Sequence, residues 1–330
     1  MTTRAQTAPA NDQATRLRAL MAATRAHEST TATSEHHVVR SSHTRTPTRP
    51  LAGARQNVSI VAIASGKGGV GKSSLAVSLA STLTRQNKRV TLLDGDIGLA
   101  NTDVLCGVRV RQHLGHVLDG TCNARDVCIN TPQGFRLVPG ASGLANIVQA
   151  ADDRPSALMQ RLAPITNDTD ILLIDCGAGI SRIVRAFLAA ADLPIIVTTP
   201  EPTSITDAYA LLKIASSDRA KRAHDRTIPS LYINMAQDES QAAQVHERIA
   251  HVCYRFFQER PEFLGWCPLD EALPRSVQAR IPVVIHEPKA KSSKAIKKVS
   301  KTLSQHIVGQ DPHSPRGGFI ARLLRGLHRF

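Results

Sequence analysis

Short β-branched apolar runs alternate with helix-spaced stretches through the middle of the chain. Residues 58–64, 89–94, 135–138, 170–175, 193–199 and 228–233 read as strands. The run at 170–175 is apolar on consecutive positions, as a parallel strand covered on both faces must be. Residues 74–86, 272–280 and 290–308 carry helical patterns, and 110–168 reads as helices broken by a strand at 135–138 and a loop at 139–143. The pattern predicts one α/β domain, doubly wound around a mostly parallel sheet, over residues 56–308. Both ends differ from this middle. Residues 1–55 carry little apolar periodicity after residue 24 and predict a disordered tail. Within it, about 11–24 reads as a short helix, with Asn11 or Asp12 as cap and Ala14, Leu17 and Met21 on one face. Residues 309–318 read as a linker. In 319–330, Phe319, Ile320, Leu323, Leu324, Leu327 and Phe330 form one helical stripe and Arg322, Arg325 and Arg329 another.

The first strand runs into Gly66-Lys67-Gly68-Gly69-Val70-Gly71-Lys72-Ser73, and a helical pattern opens at Ser74. A glycine, four residues and then Gly-Lys-Ser, placed between a strand and a helix, is the phosphate-binding loop. Its glycines let several backbone N–H groups converge, and the helix N-terminus adds partial positive charge at the same place. Lys72 would reach the β- and γ-phosphates, and the Ser73 hydroxyl would ligate Mg²⁺. The extra Lys67 makes the loop resemble the deviant Walker A of the MinD/ParA superfamily. That resemblance implies an ATPase in which Lys67 reaches across a dimer to the partner's nucleotide, so that ATP is both substrate and dimer glue.

Further segments carry the same resemblance. Asp94-Gly95-Asp96-Ile97-Gly98-Leu99-Ala100-Asn101 closes the second strand and is similar to the superfamily's first switch. It implies that Asp96 orients the attacking water and that Asp94 supports the metal and the switch. Asp175 ends a buried strand as a Walker B aspartate does, implying a Mg²⁺ contact. Gly177 and Gly179 follow with the backbone freedom of a second switch, and an N–H there could sense the γ-phosphate. Residues 200–213 predict a helix capped by Thr203 or Ser204 with Asp207, and resemble the flagellar FlhG branch of the superfamily. Asn234, at a strand end, and the segment 264–270, with Pro268 and Asp270, are similar to the two base-contacting segments.

Composition narrows the surroundings. Aromatic residues are 3%, so the core must be aliphatic. The net charge of +14 is uneven: 1–55 holds 8 Lys/Arg against 3 Asp/Glu, 285–330 holds 10 against 2, and the middle is nearly neutral. Basic ends suggest an anionic surface, membrane or nucleic acid; the near-neutral middle argues against DNA binding by the folded domain, and the lysines of 289–301 read as a solvated face. Six cysteines lack C-x-x-C spacing, which disfavours zinc and iron–sulfur sites. His113 and His116 read as surface residues. No apolar run reaches transmembrane length, and no secretory signal opens the chain, which predicts a cytoplasmic protein.

The tails extend the resemblance. Asp12, Gln13, Ala14, Leu17 and Arg18 resemble the activator helix of the FlhG family, which implies stimulation of its partner FlhF, a GTPase of signal-recognition-particle type. The C-terminal stripe fits a helix lying on an anionic membrane surface. Each buried apolar side chain there is worth at most about 1.5–3 kcal/mol. Ordering a frayed end costs part of that, and Gly326 lowers helix stability by about 1 kcal/mol relative to Ala. One copy would bind weakly, and two copies in an ATP dimer would bind well. The implied function is an ATP- and Mg²⁺-dependent dimerising switch for flagellar number and placement. It would be cytoplasmic and reversibly peripheral at the membrane, with flagellar switch (C-ring) proteins or a flagellar transcription regulator as further partners. A MinD-type division-site regulator and a ParA-type DNA-segregation ATPase are the alternatives.

Overall fold

Strand β1 (Ser59–Ser65) alternates its side chains between two apolar layers, and this places it at the centre of the sheet. In the computed structural model, which describes residues 58–96, 99–141, 161–220 and 228–308, seven strands follow β1. They are β2 (Val90–Gly95), β3 (Ile129–Asn130), β4 (Arg136–Val138), β5 (Ile171–Ala178), β6 (Leu193–Thr198), β7 (Ser230–Ala236) and β8 (Phe263–Pro268). Their order in space is β3-β4-β2-β5-β1-β6-β7-β8, parallel throughout except for the β3–β4 pair at one edge. From β1 the chain moves out one way to β2, β3 and β4, returns to set β5 beside β1, and moves out the other way through β6, β7 and β8; ligands of such sheets bind where that reversal leaves a crevice at the strand C-termini.

Helices cover both faces. Beside Val61 and Ile63 pack α1 (Lys72–Thr84) and, from the end of the domain, three further helices described below. The short α2 (Thr102–Cys106) and α3 (Leu114–Leu118) follow β2. Beside Ile60, Ala62 and Ala64 lie α4 (Arg182–Ala190), α5 (Pro202–Ala220) and α6 (Glu239–Phe257). The helices α7 (Ala272–Ala279), α8 (Val283–His286) and α9 (Lys291–Val308) complete the first face. Full burial of Ile60, Ile63, Leu79 and Leu92 is the aliphatic core that a chain poor in aromatics requires.

Three local features depart from the sequence expectations. The helix α6 buries only Ala242, Val245, Ile249, Ala250 and Cys253, a narrow stripe of mostly small side chains, and Asp238 caps it by accepting from the Gln241 N–H at 2.8 Å. His113 and His116 are not simple surface residues. Both are half-buried, and each ring accepts a backbone N–H in a reciprocal cap at the start of α3. Helix α5 begins at Pro202, so Ser204 lies inside its first turn. Its hydroxyl accepts from the Thr199 N–H at 3.1 Å and ties the helix back to the end of β6. The six cysteines are free thiols. Among the described residues no cluster of His, Cys, Asp and Glu could hold a metal by itself, and no helix is long and apolar enough to cross a membrane. The tail 1–55 with its helix at about 11–24, the linker 309–318 and the amphipathic stretch 319–330 lie outside the described residues.

Candidate functional site

The loop joining β1 to α1 has the backbone that its glycines predict. Gly69 and Gly71 take φ values of +80° and +86°, the left-handed region that favours glycine. Gly71 stands immediately before α1. A Cβ there would sit 2.3 Å from Asn234 Nδ2, and that amide donates to the Val70 carbonyl at 2.8 Å. Asn234 thus holds the loop from the end of β7. Gly66 is tight for another reason: a Cβ would fall 2.4 Å from the Asp207 carbonyl oxygen of α5. The residues 200–213 and the phosphate loop are built against each other. Gly68 and Gly69 face open space, so the crown of the loop is free to meet a ligand.

Beneath the loop lies a buried charged pair. Lys72 Nζ donates to Asp175 Oδ1 at 3.2 Å, with both side chains almost fully buried. Burial pulls the Lys72 ammonium towards neutrality, but the carboxylates of Asp175 and Asp96 outweigh it and leave its pKa raised. Burial pushes the Asp175 carboxyl up, against Lys72 and the neighbouring Ser73 hydroxyl. Asp175 Oδ2 is buried and has no hydrogen-bond partner among the described residues. An orphaned carboxylate oxygen beside a serine hydroxyl suits a hard cation with oxygen ligands.

The second strand end is organised differently. Asp94 is buried, and its carboxylate accepts from the N–H groups of Asp96, Asn101 and Thr102, and from the Thr102 hydroxyl at 2.6 Å. Burial, and then the Asp175 carboxylate, push its pKa up to about 7 against the pull of those bonds. Asp94 spends both oxygens on shaping the loop that carries Asp96. Asp96 itself is half-buried and lies over Gly177, where a Cβ would meet Asp96 Oδ1 at 3.3 Å. Gly177 is still within β5, and the Gly179 N–H donates to the Ser65 carbonyl at 2.9 Å. Lys67 is tied to the segment that follows β6. Its ammonium donates to Glu201 Oε1 at 2.6 Å and to Thr203 Oγ1 at 3.1 Å. That contact holds the Glu201 carboxyl below its usual range.

Beyond the loop the site continues into a cavity of about 390 Å³, within the roughly 300–1,000 Å³ typical of small-molecule pockets. Gly69, Gly71, Ser74 and Asn234 form its loop side, and Tyr232, Leu273, Val277 and Ile296 contribute apolar wall. Pro268 and Asp270 do not line it. Pro268 pairs with Ala236 at the end of β8. Asp270 accepts from the N–H groups of Ala272 at 3.0 Å and Ser292 at 2.9 Å, fixing the starts of α7 and α9. Burial pushes its pKa up, but those two bonds prevail and leave it lowered. Sequence reasoning missed Leu273, Pro274 and Val277, because apolar residues in a closing helix carry no chemical signature.

The sheet order, the loop and the buried Lys72–Asp175 pair define a P-loop ATPase of the MinD/ParA class. Residues 58–226 match the family described as an AAA domain. The chain is 35% identical over 273 residues to the antiactivator FleN of Pseudomonas aeruginosa, covering 83% of this chain and 96% of FleN. It is 31% identical over 277 residues to the flagellum site-determining protein YlxH of Helicobacter pylori, covering 82% and 91%. It thus belongs to the FlhG family of MinD-like ATPases, the family of FleN and YlxH. Among solved structures, the septum site-determining protein MinD of Pyrococcus horikoshii, complexed with Mg-ADP, shares the fold with a TM-score of 0.64. It is 22% identical, over 76% of this chain and 98% of that one.

Proposed function

We propose that this chain is an ATP-driven switch that sets where and how many flagella form. The convergence of Lys72, Ser73, Asp175 and Asp96 at the mouth of the phosphate loop carries this reading. Lys72 neutralises the β- and γ-phosphates, and the N–H groups of Gly68 to Ser73 cradle them. Ser73 and Asp175 would hold Mg²⁺, which would neutralise charge on the transferred phosphoryl group. Asp94 acts on the switch loop and keeps Asp96 beside Gly177, where Asp96 orients the attacking water. The cavity takes the adenine, with Asn234 at its loop side, and Asp270 acts through α7. Lys67 leaves Glu201 and Thr203 to reach the nucleotide of a second copy, which makes ATP the condition for a dimer.

The relatives support the biological setting, since one is named an antiactivator and the other a flagellum site-determining protein. The residues around Asp12–Arg18 act on the GTPase FlhF, and the apolar stripe from Phe319 to Phe330 docks ATP dimers on the cytoplasmic face of the membrane. The partner assignment is tested by GTP hydrolysis of the cognate FlhF with and without a peptide of residues 1–30. Stimulation that is lost with Gln13→Ala and Leu17→Ala is expected. An inert peptide would contradict the assignment.

A further inference from the structure

Helix α9 turns a one-sided face to solvent. Ser292, Ser293, Ile296, Val299, Ser300 and Leu303 are buried, while Lys291, Lys294, Lys298 and Lys301 are exposed at spacings of three and four. Spacings of three, four and three residues place like charges side by side along one helix, which opposes helix formation. Residues 288–308 contain no Asp or Glu. Among the described residues, no carboxylate pairs with any of these four lysines. A solvated helix face ordinarily mixes both signs.

The face is also rigidly mounted. Gly265 of β8 lets the helix approach so closely that a Cβ there would lie 2.8 Å from Val299 Cγ2. Beside that contact Gln86, just past the end of α1, donates to Ser300 Oγ at 3.2 Å and accepts from Ser304 Oγ at 2.9 Å. From Lys291 to Lys301 the stripe spans about 15 Å along a straight axis.

We infer that this lysine stripe is a second contact with an anionic phospholipid bilayer. The inference rests on the membrane reading above and extends it from the C-terminal stretch to the folded domain. Lysine ammonium groups are compact point charges, which suit a diffuse headgroup field better than the paired geometry by which arginine grips nucleic-acid phosphate. The chain leaves α9 at Val308 and reaches the apolar and arginine-bearing stretch at Phe319 after a short linker. A weak apolar anchor joined to a polybasic surface is the two-signal arrangement that gives stable yet reversible attachment. The linker keeps each contact at high effective concentration once the other is made.

The test is sedimentation of the full chain, with ATP, on phosphatidylcholine vesicles with and without phosphatidylglycerol. The variant carries Lys291→Gln, Lys294→Gln, Lys298→Gln and Lys301→Gln. A control carries Lys213→Gln, Arg248→Gln and Arg255→Gln, exposed on helices of the opposite sheet face. The stripe variant should lose at least about tenfold in affinity for the anionic vesicles and show a shallower salt dependence. The control should bind as wild type, and ATP turnover should be unchanged in both. Should the fourfold variant misfold, Lys298→Glu alone must move binding in the same direction. Wild-type vesicle binding by the stripe variants would overturn the inference, as would loss of duplex-DNA binding in place of vesicle binding. Deleting 317–330 separates the two claims: undiminished binding by the deletion refutes the C-terminal anchor and leaves the stripe standing.

Discussion

The phosphate end of the site and its cavity end solve opposite physical problems. At the phosphate end, charge is buried: Lys72, Asp175 and Asp94 are almost wholly removed from solvent and held by one another or by backbone N–H groups. At the cavity end the wall is largely apolar, built from Leu75, Tyr232, Leu273, Val277 and Ile296. Fixed charges in a low-dielectric setting act strongly on a ligand that brings opposite charge, and they cost no reorganisation when the reaction occurs. An apolar wall offers only buried area and shape, worth a few kcal/mol and open to gradual change. The phosphate end should therefore govern whether the chain binds and turns over nucleotide. The cavity end should govern which base it accepts.

Substitutions can break that division in order of expected size. Lys72→Met keeps the volume and removes the charge. Nucleotide affinity should fall at least a hundredfold by calorimetry, and turnover should vanish; near-wild-type binding would refute the division at its strongest point. Val277→Phe puts a ring into the cavity. Affinity for ATP should drop about tenfold while turnover at saturation holds, because apolar shape acts on binding in the ground and transition states alike. A fall in the saturated rate instead would tie the wall to the chemistry. Thr102→Val deletes one hydroxyl bond to the Asp94 carboxylate and leaves its backbone partners. Turnover should fall a few-fold with ATP affinity unchanged, because the Asp96, Asn101 and Thr102 N–H groups still hold the carboxylate. Weakened binding would place Asp94 in direct contact with nucleotide or metal.

The same division decides what could be read from sequence. The phosphate end requires particular residue types at fixed spacing, so Gly66 to Ser73, Asp94, Asp96 and Asp175 stand out from the chain, and the neighbouring parallel strands β1, β2 and β5 carry them to the same end of the sheet. The strands were legible for a related reason. A strand buried on both faces must be continuously apolar, and the expected runs at 58–64, 170–175 and 193–199 coincide with β1, β5 and β6 to within a few residues. The cavity wall was not legible, because Tyr232, Cys267, Leu273 and Ile296 come from four separate segments and look like ordinary core. Helix α6 escaped notice because its buried stripe is narrow and consists mostly of small residues. The tie from Lys67 to Glu201 and Thr203 was equally hidden. It joins positions more than 130 residues apart, and only the parallel order β5-β1-β6 sets the end of β6 beside the loop after β1.

The proposed switch requires that nucleotide state set the assembly state, and one measurement reaches this directly. The mass of the Asp96→Ala chain is determined in solution by light scattering with Mg-ATP and with Mg-ADP. A chain that binds ATP without hydrolysing it should run at twice its 35.6 kDa in ATP and at 35.6 kDa in ADP. The same mass in both nucleotides would contradict the account.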